Sequence, residues 1–307
     1  MEREHKIQIW INAALLLFFG ALFIIGTFTD EAVAGAIYSP GNTVVAVITA
    51  LGLYPFTAAA MLFIGSLCER AVHCEKSKPI KVLLCGLCCL LALAGGIAGG
   101  YFLLEKNSFG FLFPALNKNI PAILAVSVIF VCPMFVFGYR AAKNTRDKLL
   151  AKRVIGLIVI LLISIIAMQV LKHSFTRPRF RTVAVGYEGI GFVPWYTPFP
   201  GSAELSELYG LNGDEFLSFP SGHSILSVCT MFILPCLSWL LPKLKDKQVT
   251  LFWAGLIFGV IIMFTRMVLG AHYLSDVSAG AIIGTVLSLV FTLIQIRISG
   301  RERQSLS

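Results

Sequence analysis

Three short stretches of this chain gather side chains that are costly to keep near hydrocarbon. Thr265-Arg266-Met267-Val268-Leu269-Gly270-Ala271-His272-Tyr273-Leu274-Ser275-Asp276 puts an arginine, a histidine and a carboxylate at the junction of two apolar runs. Ionisable groups held together at such a junction read as a site whose members partner one another, and the guest that suits arginine plus histidine is a phosphate. The alternative is an arginine that reaches for the interface beside a hydrogen-bonded histidine. Lys172-His173-Ser174-Phe175-Thr176-Arg177-Pro178-Arg179 crowds four cationic or potentially cationic groups into eight residues at the exit of another apolar run. Taken alone, they would be anchors holding a membrane span in register. Phe219-Pro220-Ser221-Gly222-His223-Ser224 opens a further run: proline and serine are natural helix-start residues, and glycine lets another group approach the backbone. A helix start with free N–H groups favours an anion.

The elements that must position these residues are membrane helices. The 307 residues are 57% hydrophobic and 13% charged, against about 25% charged in ordinary soluble domains, and the mean hydropathy is +0.83. Runs of about 18 or more apolar residues fall at 9–28, 43–66, 81–104, 120–139, 154–171, 223–241, 249–268 and 275–296, which predicts eight spans in one all-α, polytopic domain over 1–307. Gly95-Gly96 and Gly99-Gly100 interrupt the third run, although small residues four apart also let helices approach. The first run exceeds the roughly 7–15 apolar residues of a secretory leader, so it reads as a span in spite of Ala32-Val33-Ala34 downstream. Residues 28–42 suggest a short interfacial helix, and residues 172–222 a long loop whose aromatic residues suit headgroup depth. Glu188, Glu204, Glu207, Asp214 and Glu215 read as that loop's solvated face.

The net charge of +9 is sorted by side. With both ends inside, 18 of the 25 lysines and arginines fall in the predicted cytoplasmic segments, and five of the other seven are Lys172, Arg177, Arg179, Arg181 and Arg266. The positive-inside rule then predicts an extracytoplasmic site, and nucleic acid is not an expected partner. None of the eight cysteines falls in a predicted outer loop, so disulfides are not expected. Cys85-x-x-Cys88 and Cys68…His73-Cys74 have metal-like spacings, but thiols within apolar helices read better as small buried hydrophobes.

All three stretches fall on one side of the membrane, so Lys172, Arg179, His223, Arg266, His272 and Asp276 can converge. Their order and spacing resemble the type 2 phosphatidic acid phosphatase family, whose helical core is shared with vanadium-dependent haloperoxidases. That family's pattern is Lys-x6-Arg-Pro, Pro-Ser-Gly-His and Ser-Arg-x5-His-x3-Asp. Here it reads Lys172 to Arg179, Pro220-Ser221-Gly222-His223, and Thr265-Arg266 with His272 and Asp276. Phe180 stands where the pattern has proline, which makes Arg177, followed by Pro178, a second candidate for the role of Arg179; Thr265 stands for serine. The resemblance covers residues 154–296 and leaves the spans within 1–150 unassigned.

The resemblance implies that Lys172, Arg179 and Arg266 clamp a phosphate, with backbone N–H groups at Ser221 and Gly222 as further donors. His272 would be the nucleophile, forming a phosphohistidine, and Asp276 would orient its ring through the other nitrogen. His223 would protonate the leaving group and then activate water. No metal and no cofactor are implied, because guanidinium and ammonium groups supply the positive charge. The expected activity is metal-independent hydrolysis of a membrane lipid phosphate: phosphatidic acid, phosphatidylglycerol phosphate, or a polyprenyl phosphate or diphosphate. Lipid phosphotransfer at the same site is the alternative, and transport without catalysis a distant one. A bacterial plasma membrane is the expected location.

Overall fold

The computed structural model describes residues 2–145 and 147–306, with side chains over 7–145 and 147–300. Helices dominate, since a helix satisfies its own backbone polar groups where hydrocarbon offers them no partner. In chain order they are α1 (Glu2–Ile37), α2 (Thr43–Ala50), α3 (Tyr54–Val72), α4 (Lys78–Leu104), α5 (Phe109–Leu112), α6 (Ile120–Val126), α7 (Cys132–Lys143), α8 (Leu150–Ser174), α9 (Phe180–Val183), α10 (Ser202–Leu208), α11 (Gly222–Val228), α12 (Thr230–Cys236), α13 (Gln248–Val268) and α14 (Leu274–Leu306). Eight stretches are long and apolar enough to cross a membrane: Ile7–Ile37, Thr43–Val72, Lys78–Leu112, Ile120–Lys143, Leu150–Ser174, Gly222–Trp239, Pro242–Val268 and Leu274–Gly300. Each overlaps one of the eight predicted runs.

Three local expectations are revised. Residues 28–37 form no separate interfacial helix; they continue α1, whose Thr27 and Thr29 hydroxyls donate to Phe23 O and Ile25 O, and the chain first breaks near Pro40-Gly41. The glycines of the third span do not interrupt α4. A Cβ at Gly100 would collide with the Ile123 carbonyl and Ser127, so its absence lets α4 lie against α6 and the π-helical turn that follows it. Glu215, expected in a solvated face, is buried, whereas Glu188, Glu204 and Glu207 are exposed.

At the centre stand α11 and α12, in which every residue from Gly222 to Ile233 is buried. They pack against α8, α13 and α14, while α1 lies along α14 and α3 packs on α8, α7 and α4. The outer helix α4 and the π-helical turn after α6 present Leu83, Leu90, Leu93, Val128 and Ile129 outward, as hydrocarbon requires. Residues 175–221 fold back over one end of the bundle. Their aromatic residues hold them there: Trp195 stacks on Phe219 at 5.2 Å between centroids and packs on Phe23, and its Nε1 donates to Thr27 Oγ1 at 3.1 Å. Ile190, Phe199 and Phe216 form a small core beneath this cap.

Candidate active site

The cap is stitched to the bundle through backbone groups, and this stitching aims the arginines. Arg177 N–H donates to Phe216 O at 2.7 Å, Arg179 N–H to Glu215 O at 2.8 Å, and Ser218 N–H to Arg177 O at 3.1 Å. Arg181 N–H donates to Gly270 O at 2.9 Å, which ties the same segment to the α13–α14 junction. Gly270 has φ of 63°, and a Cβ there would run into the Tyr38 ring, so both the turn and the close approach require glycine.

Carboxylates sort the cations at this end of the bundle. Arg177, with none of its side chain exposed, is surrounded by acids: Nη2 donates to Asp30 Oδ2 at 2.8 Å and Nη1 to Asp276 Oδ1 at 2.5 Å, while Nε donates to Val193 O. Its guanidinium also lies 3.9 Å from the Tyr273 ring centroid. Burial works against the Arg177 charge, but Asp276 and Asp30 outweigh it and hold its pKa above the usual value. Arg181 forms a two-pronged pair with Glu215 at 2.8 and 2.9 Å, and Lys106 joins the same carboxylate at 2.6 Å. Burial alone would raise the Glu215 pKa, yet the Arg181 hydrogen bonds and charge, with those of Arg179 and Lys106, pull it well below the carboxylate range.

Lys172, Arg179 and Arg266 are left without a carboxylate within ion-pair distance among the described residues. Arg179 spends Nε on Asp214 O and Nη1 on Ala271 O, and its buried Nη2 has no partner. Arg266 donates from Nη1 to Asn107 O at 3.1 Å, and its buried Nε and Nη2 are unpartnered. Burial, then the neighbouring Arg181 charge, pushes the Arg179 guanidinium down to about 10, so it is still cationic at neutral pH. Orphaned buried donors on two arginines are a large deficit that a bound anion would satisfy.

His223, in the first turn of α11, lies within electrostatic reach of Arg266, His272, Lys172 and Arg179. Its Nε2 is buried and unpartnered. His272 Nδ1 donates to Ser218 O at 2.6 Å; a carbonyl can only accept, so the proton sits on Nδ1 and the lone pair on Nε2. Burial pushes the His272 pKa well below the usual 6.5, with Asp276 partly opposing, so the ring is neutral at pH 7.

Two expected contacts differ. Asp276 does not hold His272 directly: its Oδ2 is 3.7 Å from Nδ1 and instead accepts from Ser218 Oγ at 2.6 Å and Tyr273 N at 2.8 Å. It therefore orients the ring at one remove, by fixing the residue whose carbonyl receives the imidazole proton. Ser221 N–H is not a free donor either, because it bonds Asp276 O at 3.1 Å, while Ser221 Oγ caps α11 by accepting from Ser224 N. The N–H groups of Gly222 and His223 have no acceptor among the described residues. Sequence reasoning missed Asp30, Glu105, Asn107 and Ser218, and placed Glu215 in water. For Asp30, Glu105 and Asn107 the only sequence signal is an acid or amide just after an apolar run, and Ser218 has none. His173 is exposed and its ring bonds Gln169 O, outside the cluster.

Fold and site together define a polytopic helical membrane protein with uncompensated cations facing two histidines at one end of its bundle. Residues 153–298 match the model of the PAP2 superfamily, whose members are generally phosphatases, and this stretch is consistent with a member of that superfamily. No curated protein and no solved structure matches the chain.

Proposed function

We propose that this protein is a metal-independent lipid phosphate phosphatase that works through a phosphohistidine at the extracytoplasmic face. The observation that carries the reading is the sorting of charge. Acids pair with Arg177, Arg181 and Lys106, while Lys172, Arg179 and Arg266 have no carboxylate within ion-pair distance among the described residues and lie in electrostatic reach of His223. A phosphate monoester dianion repels a nucleophile, so its hydrolysis needs charge neutralised and the attack held in line.

In this reading Lys172, Arg179 and Arg266 bind the phosphate oxygens, joined by the N–H groups of Gly222 and His223. The His272 Nε2 lone pair attacks phosphorus, the P–O bond to the lipid breaks, and His223 gives its proton to the departing oxygen. His223 then takes a proton from water, the hydroxide oxygen bonds phosphorus, and the P–N bond breaks to return the electron pair to His272. Arg177, occupied by Asp30 and Asp276, holds the scaffold instead of the substrate. The membrane-embedded chain supports a lipid leaving group, and the loop charge bias supports an outward-facing site. The test is phosphate release by purified protein across phospholipid and polyprenyl mono- and diphosphates in the presence of chelator. Release from at least one class is expected, falling about a thousandfold in His272→Ala. Recovery of labelled phosphate on a second lipid instead of in solution would replace hydrolysis by transfer.

A further inference from the structure

Glu105 is the acid that the charge sorting leaves over. It follows the last residue of α4, its side chain is 20% exposed, and its Oε1 lies 3.8 Å from His223 Nε2. The charges that face it come from separate elements: Lys172 at the end of α8, Arg266 at the end of α13, Arg179 in the cap and His223 in α11. Asp214 is a further acid within electrostatic reach of it. Its chain neighbours are committed elsewhere, Lys106 to Glu215 and Asn107 to Arg181 and Arg266. Yet the Glu105 carboxylate makes no hydrogen bond, and no ion pair with Lys172, Arg179 or Arg266, among the described residues; only His223 Nε2 lies within ion-pair distance of it, whereas Glu215 is gripped by Arg181 and Lys106. A carboxylate placed to cement arginines is drawn into such a grip. Glu105 instead shares the space of the anion pocket while leaving the donors of Arg179 and Arg266 unfilled.

We propose that Glu105 is a resident counter-anion of the phosphate pocket, a specificity-determining carboxylate that weakens the hold of the pocket on free phosphate. The inference rests on the phosphatase reading above. Three cations strong enough to stabilise a phosphorane-like charge would also retain the product, and a fixed negative charge beside them offsets part of that attraction. The penalty falls hardest on inorganic phosphate, because a lipid substrate adds binding from its chains that the product lacks. Glu105 would thereby favour release and turnover over product inhibition.

The test compares full-length wild-type protein with Glu105→Gln and Glu105→Ala, each purified in detergent. Inorganic phosphate is titrated both as an inhibitor of lipid hydrolysis and by calorimetry. Glu105→Gln is expected to bind phosphate about tenfold tighter, with a smaller change in KM for lipid. Unchanged or weaker phosphate binding overturns the proposal, as does a fall in kcat with phosphate affinity unaltered, which would make Glu105 a partner of His223 in proton transfer. Failure of both variants to fold would make it a structural residue and equally end the proposal. If wild-type protein releases no phosphate from any lipid, the phosphatase reading fails, while the calorimetric comparison still decides the role of Glu105.

Discussion

Arg177 and Arg179 are two residues apart, and residue type does not separate them; the acids around them do. Asp30, which grips Arg177, lies 147 positions away in sequence, so no local pattern could have shown that this guanidinium is spoken for. The motif residues Lys172, Arg179, His223, Arg266, His272 and Asp276 were legible because they end or begin apolar runs at recognisable spacing. The carbonyl that sets the His272 tautomer was not, because Ser218 reaches it through tertiary packing across 54 positions. The two arginines should therefore fail differently. Arg177→Gln removes one partner from a fully buried ion cluster and should cost about 3–5 kcal/mol of stability, seen as a large loss of melting temperature in detergent. Arg179→Gln should leave the melting temperature within a few degrees and lower kcat/KM by about a hundredfold. Equal thermal stability of the two variants would show that the carboxylates do not distinguish these arginines.

The connector between α4 and α5 links two halves that sequence periodicity treats as unrelated. Lys106 and Asn107 reach Glu215, Arg181 and the Arg266 carbonyl-bound guanidinium, so a turn in the N-terminal half braces a clamp in the C-terminal half. The eight spans were readable because hydrocarbon demands length and composition; this brace was not, because it consists of two polar residues, Lys106 and Asn107, in an apolar context. Its electrostatics give a signed prediction. Glu215 has a folded pKa far below its ordinary 4.5, so its stabilising contribution is complete above that value and fades as pH falls through it toward the folded pKa. The thermal stability of wild-type protein should fall as the pH drops below about 4.5, whereas Glu215→Gln should start lower at pH 7 and the gap to wild type should narrow as acidification proceeds. Parallel pH curves for the two proteins would mean that Glu215 carries no linked stability.

The whole molecule sets which side of the membrane meets the substrate. Every helix end that supplies the site lies at one end of the bundle: the C-terminal ends of α1, α4, α8 and α13 and the N-terminal ends of α11 and α14. The opposite end carries the basic connections around Lys76, Lys152 and Lys243 to Lys247, and a cavity of about 480 Å³ lined by Gln8, Asp147, Arg153 and Gln295 that holds none of the site residues. Basic segments stay cytoplasmic because moving them across the membrane is unfavourable, so the cap over residues 175–221 should face outward. In a cysteine-free background, Glu207→Cys in exposed α10 should be labelled on intact cells by a membrane-impermeant maleimide. Lys245→Cys, exposed at the other end, should react only after permeabilisation. Neither residue belongs to the proposed clamp, so both substitutions should leave phosphate release unchanged, which keeps a labelling result attributable to topology. Reversed labelling would place the site in the cytoplasm and would require the lipid phosphate to be drawn from the inner leaflet.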